Sequence, residues 1–141
     1  MSAPKELLPV LEQLSAVLDD LCRIESDKLT AVSENHPERL EPLLKEEEIY
    51  FLKFRGLEKK RIHLLRESGL ENQTLRQILK QEDPEAAELL TPVLERLTRQ
   101  ADTLKKVQRG TERLIQIRQN QLEQSLRTVQ QPDSHLYDKH V

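Results

Sequence analysis

The last long segment of the chain places the strongest constraint on its fold. From Pro84 to Gln131 there is no proline after Pro92, and apolar residues recur at steps of three and four. As one helix, at about 1.5 Å per residue, this segment would span roughly 70 Å. A chain of 141 residues is too short to cover it completely, so part of the apolar stripe should remain open to a partner helix. The stripe consists of Leu90, Leu94, Leu97, Ala101, Leu104, Ile115, Leu122 and Val129.

The composition predicts an all-α fold. Apolar residues make up 36% of the chain and charged residues 33%, a balance typical of helical bundles. Three glycines and few β-branched residues leave little material for strands. We therefore expect an elongated antiparallel helical bundle of three long helices and one short connecting helix, with the last helix the longest. Residues 1–131 are expected to form this single domain, followed by a flexible C-terminal tail at 132–141.

Apolar periodicity predicts the first two helices. Residues 4–33 carry two adjoining apolar stripes, which indicates contact with two neighbouring helices. Asn35 and Pro37 mark a break, with Asn35 as the expected N-cap of a second helix over 37–67.

Turn residues predict the remaining boundaries. Gly69 is the expected left-handed C-cap of the second helix. A short helix should follow over 72–81, and Asp83 should cap the long helix. Pro92 predicts a kink or a break about two turns into that helix.

Charge and cysteine content exclude several classes of protein. The net charge of −3 offers no basic surplus for nucleic acid. No secretion signal is recognisable, and no segment approaches the roughly 20 apolar residues that cross a bilayer. Cys22 is the single cysteine, which fits a reducing cytosol and predicts a buried, inert thiol. A local basic patch is interpreted as a solvated helix face. It comprises Lys53, Arg55, Lys59, Lys60, Arg61 and Arg66.

No catalytic or metal-binding motif is present, so we expect no enzymatic activity, metal or cofactor. The acidic triplet Glu46 to Glu48 spreads around a helix and is interpreted as a solvated patch. One alternative stays open at His63, whose surroundings resemble the phosphate-accepting segment of histidine phosphotransfer domains. Glu67 occupies the glycine position of that pattern, and its charge would repel a phosphoryl group.

Two stretches of sequence stand out beside the order of the helices. The second helix carries a leucine, lysine and glutamate run at 43–48 and closes on Arg61 after 57–60. The end of the chain carries Leu114-Ile115, Asn120, Leu122 and Leu126, then a polar link and Leu136-Tyr137-Asp138. With the helix order, these three features resemble the FlgN-type flagellar export chaperones.

This resemblance implies a cytoplasmic, non-enzymatic chaperone. It would bind the C-terminal amphipathic helix of hook-associated (hook–filament junction) proteins, prevent their premature association and deliver them to the export gate. Tyr137 is the residue that the resemblance assigns to docking at the gate. An open stripe can also pair with its own copy, which makes a homodimer an alternative state when no client is bound.

The client-binding residues are expected beyond the reach of the shorter helices, on the last part of the long helix. The first of them could instead pack against the first helix as core. A generic coiled-coil adaptor would show the same stripes and stays open as the second function. The expected client stripe consists of Leu114, Ile115, Ile117, Leu122, Leu126 and Val129.

Overall fold

The structure is a computed structural model that describes residues 3–130. Within this range there are four α-helices and one 3-10 turn and no strand, which confirms the expected all-α bundle with a long C-terminal helix. The predicted tail at 132–141 lies outside the described residues, and its separation from a domain at 1–131 stays a prediction. The helices are α1 (Leu7–Ser33), α2 (Leu40–Glu67), α3 (Leu75–Gln81) and α4 (Pro84–Gln130).

Helix α1 is the central helix of the bundle. Both α2 and α4 pack along it, whereas the Cα atoms of α2 and α4 stay more than 8 Å apart in the described part of the chain. The two apolar stripes predicted for α1 therefore meet two different neighbours, as expected. Helix α2 runs antiparallel to α1, because Arg23 late in α1 pairs with Glu46 early in α2 at 2.8 Å. Helix α4 runs parallel to α1, because the hydrogen bonds between them join residue 15 to residue 100 and residue 33 to residue 118.

The core follows α1 from one end to the other. Its first part surrounds the beginning of α1, where α3 and the start of α4 also pack. Its second part surrounds the middle of α1 and is closed by aromatic side chains of α2 and leucines of α4. The first part contains Leu7, Val10, Leu11, Leu14, Leu65, Leu70, Ile78 and Val93; the second contains Val17, Leu18 and Leu21.

Helix α1 ends at an asparagine in the left-handed conformation. Asn35 has a φ of 61°, and its N–H donates to the carbonyl of Val32 at 3.2 Å. The N–H of His36 donates to the carbonyl of Ala31 at 2.8 Å, which completes a Schellman motif. Asn35 thus terminates α1, and its predicted role as the N-cap of α2 is wrong. Asparagine tolerates this conformation better than most residues do.

Helix α2 ends in the same way at Gly69, as predicted. Gly69 has a φ of 74°, and its N–H donates to the carbonyl of Arg66 at 3.1 Å. The next N–H, from Leu70, reaches the carbonyl of Leu65 at 2.8 Å. Both leucines are buried in the first part of the core, which is the apolar contact that often accompanies this motif.

The regular α-helical pattern of α2 begins later than the predicted residue 37. A 3-10 turn occupies Pro37–Arg39, and the α-helix starts at Leu40. The physical reason is Pro42, which has no N–H to donate to the carbonyl of Glu38.

Side-chain caps begin the last two helices. Thr74 and Gln77 form a capping box before α3, with distances of 2.8 and 3.1 Å. The box places the start of α3 at Leu75 and not at residue 72. Asp83 accepts from the N–H of Ala86 at 2.8 Å, so the predicted cap of α4 is confirmed. Helix α4 continues through Pro92 without a break.

Candidate partner-binding site

One face of α4 packs against α1 over most of its length. The α4 residues on this face recur at steps of three, four and seven, which keeps them on one side of the helix. Thr111 is a polar member whose hydroxyl is satisfied by the carbonyl of Val107 at 3.0 Å. We call these residues the covered stripe: Val93, Leu97, Gln100, Leu104, Thr111 and Ile115, all of them buried or half-buried.

The covered stripe stops where α1 stops. The guanidinium of Arg118 donates to the carbonyl oxygen of Ser33, the last residue of α1, at 3.3 Å. Helix α4 continues from there to Gln130, a further length of about 18 Å at 1.5 Å per residue. We call residues 119–130 the overhang; each of its side chains from 119 to 129 is exposed.

The apolar face continues into the overhang without α1 to cover it. Leu122, Leu126 and Val129 follow Ile115 by 7, 11 and 14 residues, close to whole turns of the helix. Their exposed fractions are 60%, 48% and 72%. Single exposed apolar residues are ordinary, but three on one face form a patch of the kind found where partners bind. We call these three residues the overhang stripe.

The other predicted stripe residues do not all share this face. Leu114 and Ile115 are half-buried beside the end of α1, at the boundary between core and surface. Ile117 is 45% exposed but lies nine residues before Leu126. At about 3.6 residues per turn that is two and a half turns, so the two side chains leave opposite sides of α4.

An apolar groove lies where α1 ends. Its volume is about 220 Å³, and most of its surface is aliphatic. One wall comes from α1 and the segment that follows it, and includes Val32, Pro37 and Leu40. The other wall comes from α4 and includes Ile115 and Leu122. The groove is therefore continuous with the overhang stripe. The sequence analysis did not single out Val32 or Leu40 as site residues, because nothing local shows which helix end meets α4.

The polar side of the overhang carries little charge. Glu123 and Arg127 are its only charged residues, and they lie 4.0 Å apart across one turn. The remaining polar side chains are neutral amides and hydroxyls. What the overhang offers a partner is thus an apolar stripe flanked by neutral hydrogen-bonding groups.

Comparison with protein families identifies the chain. The model of the family described as "FlgN protein" matches residues 1–140. The chain belongs to the FlgN family. No curated protein and no solved structure matches it.

FlgN proteins are chaperones of flagellum biogenesis, and the family is not one of enzymes. The resemblance noted in the sequence is therefore confirmed at the level of the family and of a general flagellar export chaperone role. No helix in the described part of the chain has the length and apolar character needed to span a membrane. Within residues 3–130 no group of His, Cys, Asp and Glu side chains is arranged to hold a metal ion. Tyr137, the residue predicted to dock at the export gate, lies outside the described residues.

The histidine considered for phosphate transfer is engaged with its acidic neighbour. Nε2 of His63 lies 2.6 Å from a carboxylate oxygen of Glu67, and both side chains are exposed. An incoming phosphoryl group would meet that carboxylate. Together with membership in FlgN, a chaperone family, this contact favours an ordinary surface histidine at position 63 over a phosphate acceptor.

Cys22 is half-buried and not fully buried as predicted. Burial, followed by the nearby charge of Asp19, raises the pKa of its thiol. A protonated thiol is a poor nucleophile, as expected for an inert cysteine. The basic patch on α2 is exposed except for Arg61, which is half-buried and pairs with Glu58 at 2.5 Å.

The prediction of a solvated acidic patch at residues 46–48 is wrong for Glu47. The Lys28 ammonium lies 3.1 Å from carboxylate oxygens of both Glu25 and Glu47, and all three side chains are largely buried. Burial, and then a hydrogen bond with Glu47, raises the pKa of Glu25. Burial opposes the charge on Lys28, but its hydrogen bonds to the two carboxylates outweigh that and raise its pKa. The trio arises only when α1 and α2 pack together, so no local signal reveals it.

Proposed function

We propose that this FlgN protein holds the C-terminal amphipathic helix of a hook-associated protein of the hook–filament junction. The single observation that carries the proposal is the overhang stripe, which continues the α1-binding face of α4 past the end of α1. In the cytoplasm the chaperone would cover the client's apolar face, prevent its premature association and deliver it to the export gate.

The energetics suit a reversible complex. A client segment that is unstructured alone gains its helix by packing against α4. Burying about 1,000 Å² of apolar surface contributes roughly 25 kcal/mol before costs. Ordering the client and losing its translational freedom offset most of this, which leaves micromolar to nanomolar affinity. A complex of that strength can still release its client at the export gate.

Helix α4 offers a matched pair of variants for testing this placement. Leu126 and Ile117 are similarly exposed, on one helix but on opposite faces. We expect Leu126→Asp to abolish calorimetric binding of a synthetic peptide from the C-terminal helix of a junction protein. Ile117→Asp should bind it as the unchanged protein does. Circular dichroism checks that both variants remain folded. Equal loss in both variants, or in neither, would contradict the placement on the overhang stripe.

Delivery is tested separately from client binding. The family resemblance assigns docking at the export gate to Tyr137, and the proposal follows it. With Tyr137→Ala we expect normal peptide affinity but failure of export of the junction protein in cells. Normal export with this variant would remove Tyr137 from the mechanism and leave the client site unaffected.

A generic coiled-coil adaptor is the second candidate, because an adaptor would also expose an apolar stripe. An adaptor should form a stable dimer through the stripe whether or not client is present. The chaperone, in contrast, exchanges any contact with its own copy for client. Sedimentation analysis with and without the peptide distinguishes the two: a dimer that the peptide does not dissociate favours the adaptor.

A further inference from the structure

We infer that the groove at the end of α1 is the second wall of the client site, and that the client helix binds there in line with α1, as its continuation. The inference rests on the proposed function. It adds Val32 and Leu40 to the residues that contact the client, and it ends the open stripe in an apolar groove.

The groove lies where α1 stops covering α4. Helix α1 covers the apolar face of α4 as far as Ile115 and ends at Ser33, where Arg118 binds its last carbonyl. The groove opens at this point and includes Ile115 and Leu122. A helix that covers the overhang stripe must therefore begin or end at the groove.

The existing α1–α4 interface indicates what kind of element fits. Along the covered stripe, the apolar face of α4 is matched by the apolar face of one helix, α1, which runs parallel to it. The overhang repeats the same spacing of apolar residues, so it presents the same ridges and grooves to a second helix. The remaining length of about 18 Å accommodates roughly three turns of helix. The occupant is thus an amphipathic helix, with its apolar face on α4.

The groove accommodates a large side chain at the end of that helix. Its volume of about 220 Å³ exceeds the roughly 150 Å³ of an apolar cavity that holds benzene. The walls are mostly aliphatic and include Val32, half-buried Leu40 and Leu122. One leucine, methionine or phenylalanine of the client would fill it. The client helix is therefore expected to carry such a residue one turn beyond those that bind the overhang stripe.

Leucine-to-alanine variants on α2 test the groove. Leu40 lines it, whereas Leu44, one turn later, is 50% exposed and does not. With the junction-protein peptide in a calorimetric titration, Leu40→Ala should weaken binding at least about fivefold, and Leu44→Ala less than about twofold. Leu126→Asp is measured in the same series. If Leu126→Asp abolishes binding while Leu40→Ala matches Leu44→Ala, the groove inference is overturned and the proposed function stands. If the unchanged protein does not bind the peptide, both fail.

A labelling measurement identifies the occupant directly and does not depend on the stability of Leu40→Ala. In a Cys22→Ser background, Leu40→Cys and Leu44→Cys are treated with a maleimide. The peptide should slow labelling at position 40 and leave position 44 unchanged. Equal labelling of position 40 with and without peptide overturns the inference. So does faster labelling after removal of residues 132–141, or slower labelling at higher protein concentration without peptide, because those results assign the groove to the chain's own end or to a second copy.

Discussion

Gln100 of α4 and Ser15 of α1 bind each other in both directions across the buried α1–α4 interface. The hydroxyl of Ser15 donates to the amide oxygen of Gln100 at 2.9 Å. The amide nitrogen of Gln100 donates to the carbonyl of Ser15 at 3.0 Å and to Asp19 at 2.6 Å. Thr111, another polar residue of the covered stripe, bonds within α4, whereas the Gln100 bonds cross to α1 and can form in only one register. Together with apolar packing they therefore favour the register that leaves α4 extending past Ser33.

We expect Gln100→Ala to destabilise the protein, because it leaves the buried Ser15 hydroxyl without a partner. The free energy of unfolding should fall by about 1–3 kcal/mol. The double variant Gln100→Leu with Ser15→Ala should recover most of this loss, since both polar partners are then replaced. Urea denaturation measures both. A double variant that is less stable than Gln100→Ala would show that the pair contributes stability and does not only select the register.

The buried trio on α1 and α2 predicts a pH dependence of stability. The pKa of Glu25 is raised in the folded state, so the folded protein binds a proton there at pH values where the unfolded chain has lost it. Stability from this group is full below its unfolded pKa and is lost as the pH rises through the folded value. Relative to Glu25→Gln, the unchanged protein should therefore become more stable as the pH falls from 7 toward 5. Urea denaturation at several pH values checks this, and a difference that is constant with pH would contradict it.

Substitution of glycines by alanine should have opposite effects at two positions. Gly110 lies inside α4, and an added Cβ there meets nothing within 4 Å. Gly110→Ala should stabilise the protein by about 0.5–1 kcal/mol, because the unfolded chain loses freedom. Gly69 has a φ of 74°, and Gly69→Ala should destabilise by about 1–2 kcal/mol. Thermal unfolding of the two variants provides the measurement, each serving as the control for the other.

The neutral overhang predicts that client binding depends little on salt. Its two charged residues, Glu123 and Arg127, lie next to each other and cancel at any distance beyond a few ångströms. Peptide affinity should change less than about twofold between low salt and 0.5 M NaCl, where charges are screened within about 5 Å. The heat-capacity change of binding should be negative, as for apolar burial. A tenfold loss of affinity in high salt would place the client on a charged surface elsewhere.

Local sequence signals predicted most of the helices. The caps at Asp83 and Gly69 and the double stripe of α1 are properties of a few neighbouring residues, and the structure has them as expected. The failure at Asn35 has a local cause too. Asparagine suits both a helix N-cap and a left-handed helix end, and the sequence does not show which of the two forms.

The candidate site was predictable only in part. The periodicity of α4 indicated that an apolar face would remain open, and the exposed overhang stripe agrees with that expectation. It did not separate Ile117 from Leu126, because a list of apolar residues ignores that nine positions make two and a half turns and so place the two side chains on opposite faces. Gln100 carried a usable signal, since it is a polar residue at a position of the apolar stripe.

The sequence by itself determined the all-α class, the order and approximate ends of the helices, and an apolar face on α4 longer than its neighbours. These follow from periodicity and capping, which act over a few residues. Only the tertiary structure decided where α1 ends on α4, which residues the overhang exposes, and that Val32 and Leu40 form a groove with Leu122. It also brought Glu25, Lys28 and Glu47 together. These features depend on the register between helices distant in the chain, and packing sets that register.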